Sequence, residues 1–277
     1  LSDKFKSILG LRAENYNLYY TGQNQQGDII YEDENLLSEL DLFPSVNLIY
    51  SLREMSNLRF SLSRTIARPS FKEKSIAQIF DPVTSTTFIG NIDILPTKIL
   101  NYDLRWELFQ ENAQMYAISL FYKDFTNPIE LVVYNGASPN DYTPKNVDEA
   151  KVYGIELEFR KNLEFISESL SNFKLTFNTS IIRSEEIMDE KEYEGRTKSA
   201  RSGELVSRKR ELQGQSPYLI NLGLNYNSIN NNFEGSLNYN VQGKTLQIVG
   251  VNYVPDIFTE PFNSLNVNFN YKFGRTG

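Results

Sequence analysis

The chain of 277 residues has no cysteine, no histidine and a single tryptophan. Without cysteine there is no disulfide framework, no thiolate metal site and no cysteine nucleophile. Without histidine the commonest general base is missing, along with the usual haem ligand and most transition-metal sites. No cofactor, no metal site and no catalytic residue is therefore expected. Positive charge is also in deficit, with 28 Lys and Arg against 35 Asp and Glu. A nucleic-acid surface needs a basic footprint, so nucleic acid is not an expected partner. No run of about 18 apolar residues occurs, which excludes a membrane-spanning helix. A membrane stays open, because a barrel strand is apolar only at every second residue.

What the chain has is alternation. In Phe233–Gln242 the residues Phe233, Gly235, Leu237, Tyr239 and Val241 alternate with Glu234, Ser236, Asn238, Asn240 and Gln242. Successive strand side chains point to opposite faces, so one face is oily and the other wet. Ten segments share this pattern: 5–13, 44–52, 58–65, 101–109, 115–123, 152–160, 173–181, 218–227, 233–242 and 265–273. Short turns follow the second, fourth, sixth and eighth; long stretches follow the first, third, fifth, seventh and ninth, at 21–41, 68–99, 135–150, 183–216 and 243–263. Residues 129–134 read as an extension of the fifth segment. Long connections on one rim and short ones on the other mark an outer-membrane β-barrel. Loops beyond about 15 residues are uncommon in compact soluble domains, and five together would be unusual. The periodicity by itself leaves a passive ten-stranded porin and a soluble β-rich binding module open.

Several segments, in order along nearly the whole chain, resemble the barrel of TonB-dependent outer-membrane receptors of the Bacteroidota type. Leu42-Phe43-Pro44-Ser45-Val46-Asn47-Leu48 resembles that family's strand opening. The run from Leu58-Arg59-Phe60 through Ser63-Arg64-Thr65-Ile66-Ala67-Arg68-Pro69-Ser70-Phe71 is similar to its next strand. Gly90-Asn91-Ile92-Asp93-Ile94-Leu95-Pro96-Thr97-Lys98 follows, with Ile92 where proline is usual. Asn101-Tyr102-Asp103-Leu104-Arg105-Trp106-Glu107, Phe121–Glu130, Val152–Glu158 and Leu212–Tyr218 complete the series. The resemblance implies an all-β, antiparallel transmembrane barrel, of which this chain carries about ten of 22 strands. It also implies an N-terminal plug, a TonB-contacting segment and terminal strands that lie outside residues 1–277. The implied partners are outer-membrane lipid, the protein's own plug, the TonB complex, a nutrient and, in some members, a surface lipoprotein. The implied location is the bacterial outer membrane, and the implied activity is transport, not catalysis.

The wet faces supply the candidate ligand-binding residues: Asp103, Arg105 and Glu107 on one segment, Glu156, Glu158 and Arg160 on another. Glu156 and Glu158 share a face, yet no nucleophile or base accompanies them, so contact with water or plug is the expected role. Trp106, Tyr102, Tyr116, Tyr153 and Tyr218 suit an aromatic girdle. Arg64 continues the oily face of its segment and is expected to lie near the outer rim, reach headgroups or follow a bulge, since a mid-membrane charge costs about 2–4 kcal/mol. Gly243-Lys244-Thr245 lacks the preceding glycine of a phosphate loop, because position 238 is Asn238. The acidic run Glu185 to Glu194 and the basic run Arg196 to Arg210 are expected to form a hydrated, mobile loop.

Overall fold

The protein is described from a computed structural model covering residues 4–134, 140–230 and 232–274. Parts of the stretch expected as a loop at 135–150 and of the turn expected at 228–232 lie outside the described residues.

β1 (Phe5–Gln23) and β2 (Ile30–Arg53) form a hairpin paired from Phe5 opposite Tyr50 to Gln23 opposite Ile30. Most of the stretch expected as a loop at 21–41 is therefore strand. Above the membrane a hairpin needs no oily face, so its side chains carry no clean alternation. Its turn is closed by Asn24, whose Oδ1 accepts the backbone N–H of Asp28 and of Ile29. β3 (Ser56–Ala67) returns to the wall, and β4 (Gln78–Asp81) and β5 (Thr86–Ile89) leave it. β6 (Thr97–Gln110) and β7 (Gln114–Thr126) are joined by a turn with φ of 57° at Asn112 and 56° at Ala113. Positive φ at both central residues is the type I′ geometry that matches strand twist.

β8 (Ile129–Val133) corrects a second expectation, because it does not extend β7. Asn127 turns the chain with φ of 54°, and Pro128 has no N–H to continue the ladder. β8 instead pairs with β9 (Asp141–Asn146), completing a separate sheet of order β4-β5-β9-β8. β10 (Glu149–Asn162) and β11 (Phe173–Ile187) follow. The stretch expected as a mobile loop at 183–216 contains the end of β11, a helix, α1 (Glu190–Ser199), and β12 (Lys209–Arg210). The Asp189 side chain caps α1 by accepting from the Glu192 N–H. β13 (Tyr218–Asn227), β14 (Phe233–Gln242), β15 (Thr245–Ile248), β16 (Ile257–Thr259) and β17 (Phe262–Tyr271) end the described chain.

Ten strands form one antiparallel wall in the order β1-β2-β3-β6-β7-β10-β11-β13-β14-β17, with β12 added on β11. The wall is not closed among the described residues. Its register carries the oily residues across strand after strand. Phe60, Leu104, Leu120, Ile155, Ile181 and Tyr218 form one continuous row. These side chains have no core to enter: Leu120 is 49% and Ile181 59% exposed. So large an apolar surface is unsuited to water and suited to lipid. Tyr102 and Tyr122 lie at one edge of the band with ring centres 6.0 Å apart, and Tyr153 sits beside them in register. Tyr116 and Phe159 lie at the other edge, 5.3 Å apart. Six residues, about 20 Å along a strand, separate Tyr116 from Tyr122, near the height of a barrel's apolar band. Trp106 lies inside the band beside Ile118, and its indole N–H donates to Ser56 Oγ at 3.1 Å. Arg64 lies at the outer end, where Nη1 donates to the Leu42 carbonyl.

Candidate functional site

Register places the charged residues of β3, β6 and β10 on one wet face. Arg59 lies opposite Arg105, and Glu107 and Glu158 both face Ala117. A small residue between two carboxylates leaves room for a guanidinium to bridge them. Arg105 does so, with Nε 3.2 Å from Glu107 and Nη2 2.9 Å from Glu158. Its Nη1 donates to Ser119 Oγ at 3.1 Å. Arg59 and the Asn57 amide also donate to Glu107, and Arg160 lies 3.9 Å from Glu158. Four of the six expected residues thus join in one network. Glu156 stands beside it and accepts from Ser180 Oγ at 3.3 Å. Asp103 lies one step along its strand, opposite Ser61 and Phe121, outside that network. Arg59 falls on the wet face with Ser61 and Ser63 in the sequence pattern but is not among the candidate binding residues named there.

Farther around the wall the wet face changes from charge to amide. Asn240 donates to Asn221 at 2.6 Å, and Asn221 to Asn178 at 2.8 Å. Gly223 has no side chain where one would collide with Thr176 Oγ1 at 2.4 Å.

Above the wall the long connections interlock into a cap. Leu246, Val249 and Val132 form a small buried core that joins β8 to the β15–β16 hairpin. A parallel bridge links Val132 to Val249, and the Leu131 N–H donates to Gln213 Oε1 at 2.7 Å. At the centre lies Arg210. Its Nη2 is 2.5 Å from Glu130 and 2.7 Å from Glu186, and its Nε is 2.8 Å from Glu192. The Glu130 and Glu186 side chains are fully buried and Arg210 is 6% exposed. Burial, then the neighbouring charge of Glu130, pushes the Glu186 carboxyl up to about 9. Burial alone would lower Arg210, but its carboxylate partners outweigh this and raise it. Arg196 grips Asp256 with two hydrogen bonds, at 2.8 and 2.7 Å. These bonds and the Gly250 N–H outweigh burial and hold Asp256 below the usual carboxylate range.

The acidic and basic runs are thus largely each other's partners: the stretch is structured around the buried Arg210 centre, while outer pairs such as Glu190 with Arg208 stay hydrated as expected. Glu190 pairs with Arg208 and Glu185 with Lys209 in the same way. One signal was present in the sequence: Glu130 is a lone carboxylate in an otherwise apolar strand. Gly243-Lys244-Thr245 leads into strand β15 rather than a helix, so it is no phosphate loop. Among the described residues no cluster of three or more potential ligands could hold a metal ion.

A single-layer antiparallel wall, oily on one face and wet on the other with every long connection on one rim, defines a membrane-type β-barrel wall. The family profile "TonB dependent receptor-like, beta-barrel" matches residues 1–276, and the chain belongs to that family. The family comprises transporters and receptors rather than enzymes, and its barrels are outer-membrane proteins. Among solved structures, the chain resembles the copper transporter OprC at TM-score 0.69 and 16% identity, covering 99% of this chain and 38% of that one. It resembles the ferric citrate transporter FecA in its unliganded form at TM-score 0.65 and 15% identity, covering 99% and 36%. It also resembles the ferric enterobactin receptor PfeA in complex with BCV-L6, at TM-score 0.60 and 16% identity, covering 99% and 36%. At such identities the likeness is one of fold. The chain spans less than two fifths of the length of these structures. No curated protein sequence matches it.

Proposed function

We propose that this chain is part of a TonB-dependent outer-membrane receptor of the Bacteroidota type, which binds a nutrient outside and imports it through a plugged barrel. The observation that carries this reading is the interlocked cap standing above a wet wall. A passive pore needs an open mouth, whereas here connections after β7, β11 and β14 are tied to one another through Arg210, Gln213 and Val249. Such a cap suits selective capture. Arg105, Glu107, Glu158 and Arg160 line the path below, where they contact the plug and the hydrated lumen; Asp103 and Glu156 stand beside them.

The plug and the remaining strands belong to a longer protein, in keeping with neighbours more than twice this length. Those neighbours handle copper, ferric citrate and ferric enterobactin, and the ligand proposed for this chain is a small-molecule or oligomeric nutrient. In this reading a surface lipoprotein is a further partner, on the cap side. The test is uptake by cells carrying the full-length receptor, with and without a working TonB complex, across ferric siderophores, cobalamin and oligosaccharides. Saturable uptake of one class that vanishes without TonB is expected. Uptake that persists without TonB would make the chain part of a passive porin. Recovery of the protein without detergent would make it a soluble module.

A further inference from the structure

Between the connections that follow β11 and β14, the cap holds a cavity of about 470 Å³. Its lining runs from buried Met188 through α1 and the stretch 204–209 to residues 250–255. The walls are tied to one another. Arg196 of α1 grips Asp256, and Asp256 Oδ1 also accepts the Gly250 N–H at 2.8 Å. The Ser199 hydroxyl donates to the Asn252 carbonyl at 3.0 Å, and the Met188 N–H donates to the Arg208 carbonyl at 3.0 Å. The loop between β15 and β16 is bent to fit. A Cβ on Gly250 would stand 2.2 Å from the Val254 carbonyl oxygen, and Asn252 turns with φ of 55°. Backbone held in the left-handed region by its surroundings is typical of ligand clamps. A cavity of this size with fixed walls suits a small molecule.

Three charged side chains line the cavity, and each has its counterpart. Arg196 is met by Glu192 and Asp256, and Lys209 by Glu185. Glu204 accepts the Arg201 N–H at 3.0 Å, with the Arg201 charge in the same turn. The cavity therefore offers an ion no counter-charge of its own, and a charged ligand would give up water for nothing in return. Two large apolar side chains stand in its lining unpacked. Leu205 is 97% exposed and Tyr253 is 81% exposed. Exposed apolar residues are ordinary when scattered singly. Here one comes from each of the two connections, and both line the same cavity. Ser207 and Asn252 add a hydroxyl and an amide to the lining, which are neutral hydrogen-bonding groups.

Resting on the reading of the cap as the capturing part, we propose that this cavity takes an uncharged, ring-bearing ligand. Its ring lies against Leu205 and Tyr253, and its polar edge meets Ser207 and Asn252. The full-length receptor, held in nanodiscs in mildly acidic buffer, is titrated with three probes that share one ring and differ in charge. These are N-acetylphenylalanine amide, which is neutral, N-acetylphenylalanine, which is anionic, and phenylalanine amide, which is cationic. Saturation-transfer NMR reads the affinity of each. The neutral probe is expected to bind about fivefold tighter than either ion. L205S/Y253S should weaken it about tenfold by removing both apolar contacts. S207W, which fills the cavity, should abolish its binding. Both variants alter exposed side chains, and heat-modifiable migration in gels checks that each is folded. Equal affinity for the three probes, no binding of the neutral one, or unchanged binding in either variant would overturn the site. Uptake that persists without TonB would overturn the receptor reading and leave these affinities standing, so the two failures are told apart.

Discussion

Two networks in this chain are built alike and placed differently. In the wall, Arg105 bridges Glu107 and Glu158; in the cap, Arg210 bridges Glu130, Glu186 and Glu192. Arg105 is 30% exposed and Glu158 31%, against 6% for Arg210 and none for its two closest partners. Water shares the load in the wall and is excluded from the cap. Glu107 is itself buried, at 5% exposure, but its arginine partners Arg59 and Arg105 are 43% and 30% exposed, so the wall network is partly screened and of modest worth. The cap network is costly to assemble and costlier to leave half made. The same side chains hold the wall loosely and the cap firmly.

The sharpest way to break this contrast is Arg210→Met. It leaves Glu130, Glu186 and Glu192 buried without their cation, and the cap should lose about 3–5 kcal/mol of local stability. Hydrogen exchange on the full-length receptor should show lost protection at residues 129–133 and 209–213, with the wall strands unchanged. Equal loss in cap and wall would mean that they are one cooperative unit.

A smaller effect comes from pH. Glu186 is raised from 4.5 to about 9, so the folded cap binds a proton that the unfolded chain has released. Its contribution is full below about 4.5 and is lost progressively as pH rises towards 9. Asp256 has the opposite sign. Its carboxyl is lowered, so its contribution is present above 3.8 and lost on acidification. Protease sensitivity of the cap should therefore rise between neutral pH and 9, and Glu186→Gln should flatten that rise. An unchanged slope in Glu186→Gln would remove Glu186 from the account.

Arg105→Met should cost about 1 kcal/mol, the scale of a partly hydrated network, read as a small fall in the wall's thermal transition. A loss as large as that of Arg210→Met would erase the distinction between the two. Asn221→Ala is expected to cost about 0.5–1 kcal/mol, because it breaks a neutral amide chain open to water. That change serves as the floor against which the others are read.

Lipid explains what was legible in the chain. It demands an oily residue at every second position, so all ten wall strands could be read from alternation, and with them four members of the Arg105 network. Above the membrane that demand lapses. The upper β1–β2 hairpin, β8 and the β15–β16 hairpin carry polar or mixed faces, and their pairing is set by contacts far apart in the chain. α1 left one faint mark, the capping pair Asp189 and Glu192. It has no buried residue, so no apolar stripe announces it. Glu130 stands out in its apolar strand, but its partnership with Arg210 has no local signal, because the two lie 80 positions apart.

That separation has a bearing on assembly. Wall neighbours such as β6 and β7 meet across a turn of three residues, 111–113. Glu130 and Arg210 are 80 positions apart, with β10 and β11 between them. Closing so long a loop early is entropically unfavourable, and the wall hairpins bear no such cost. The Arg210 centre depends on the register of β7, β10 and β11, which carry or flank its carboxylates. A slip of one residue would turn Glu186 to the lipid side and leave Arg210 unmatched. The buried arginine is thus matched only where the wall beneath it stands in register.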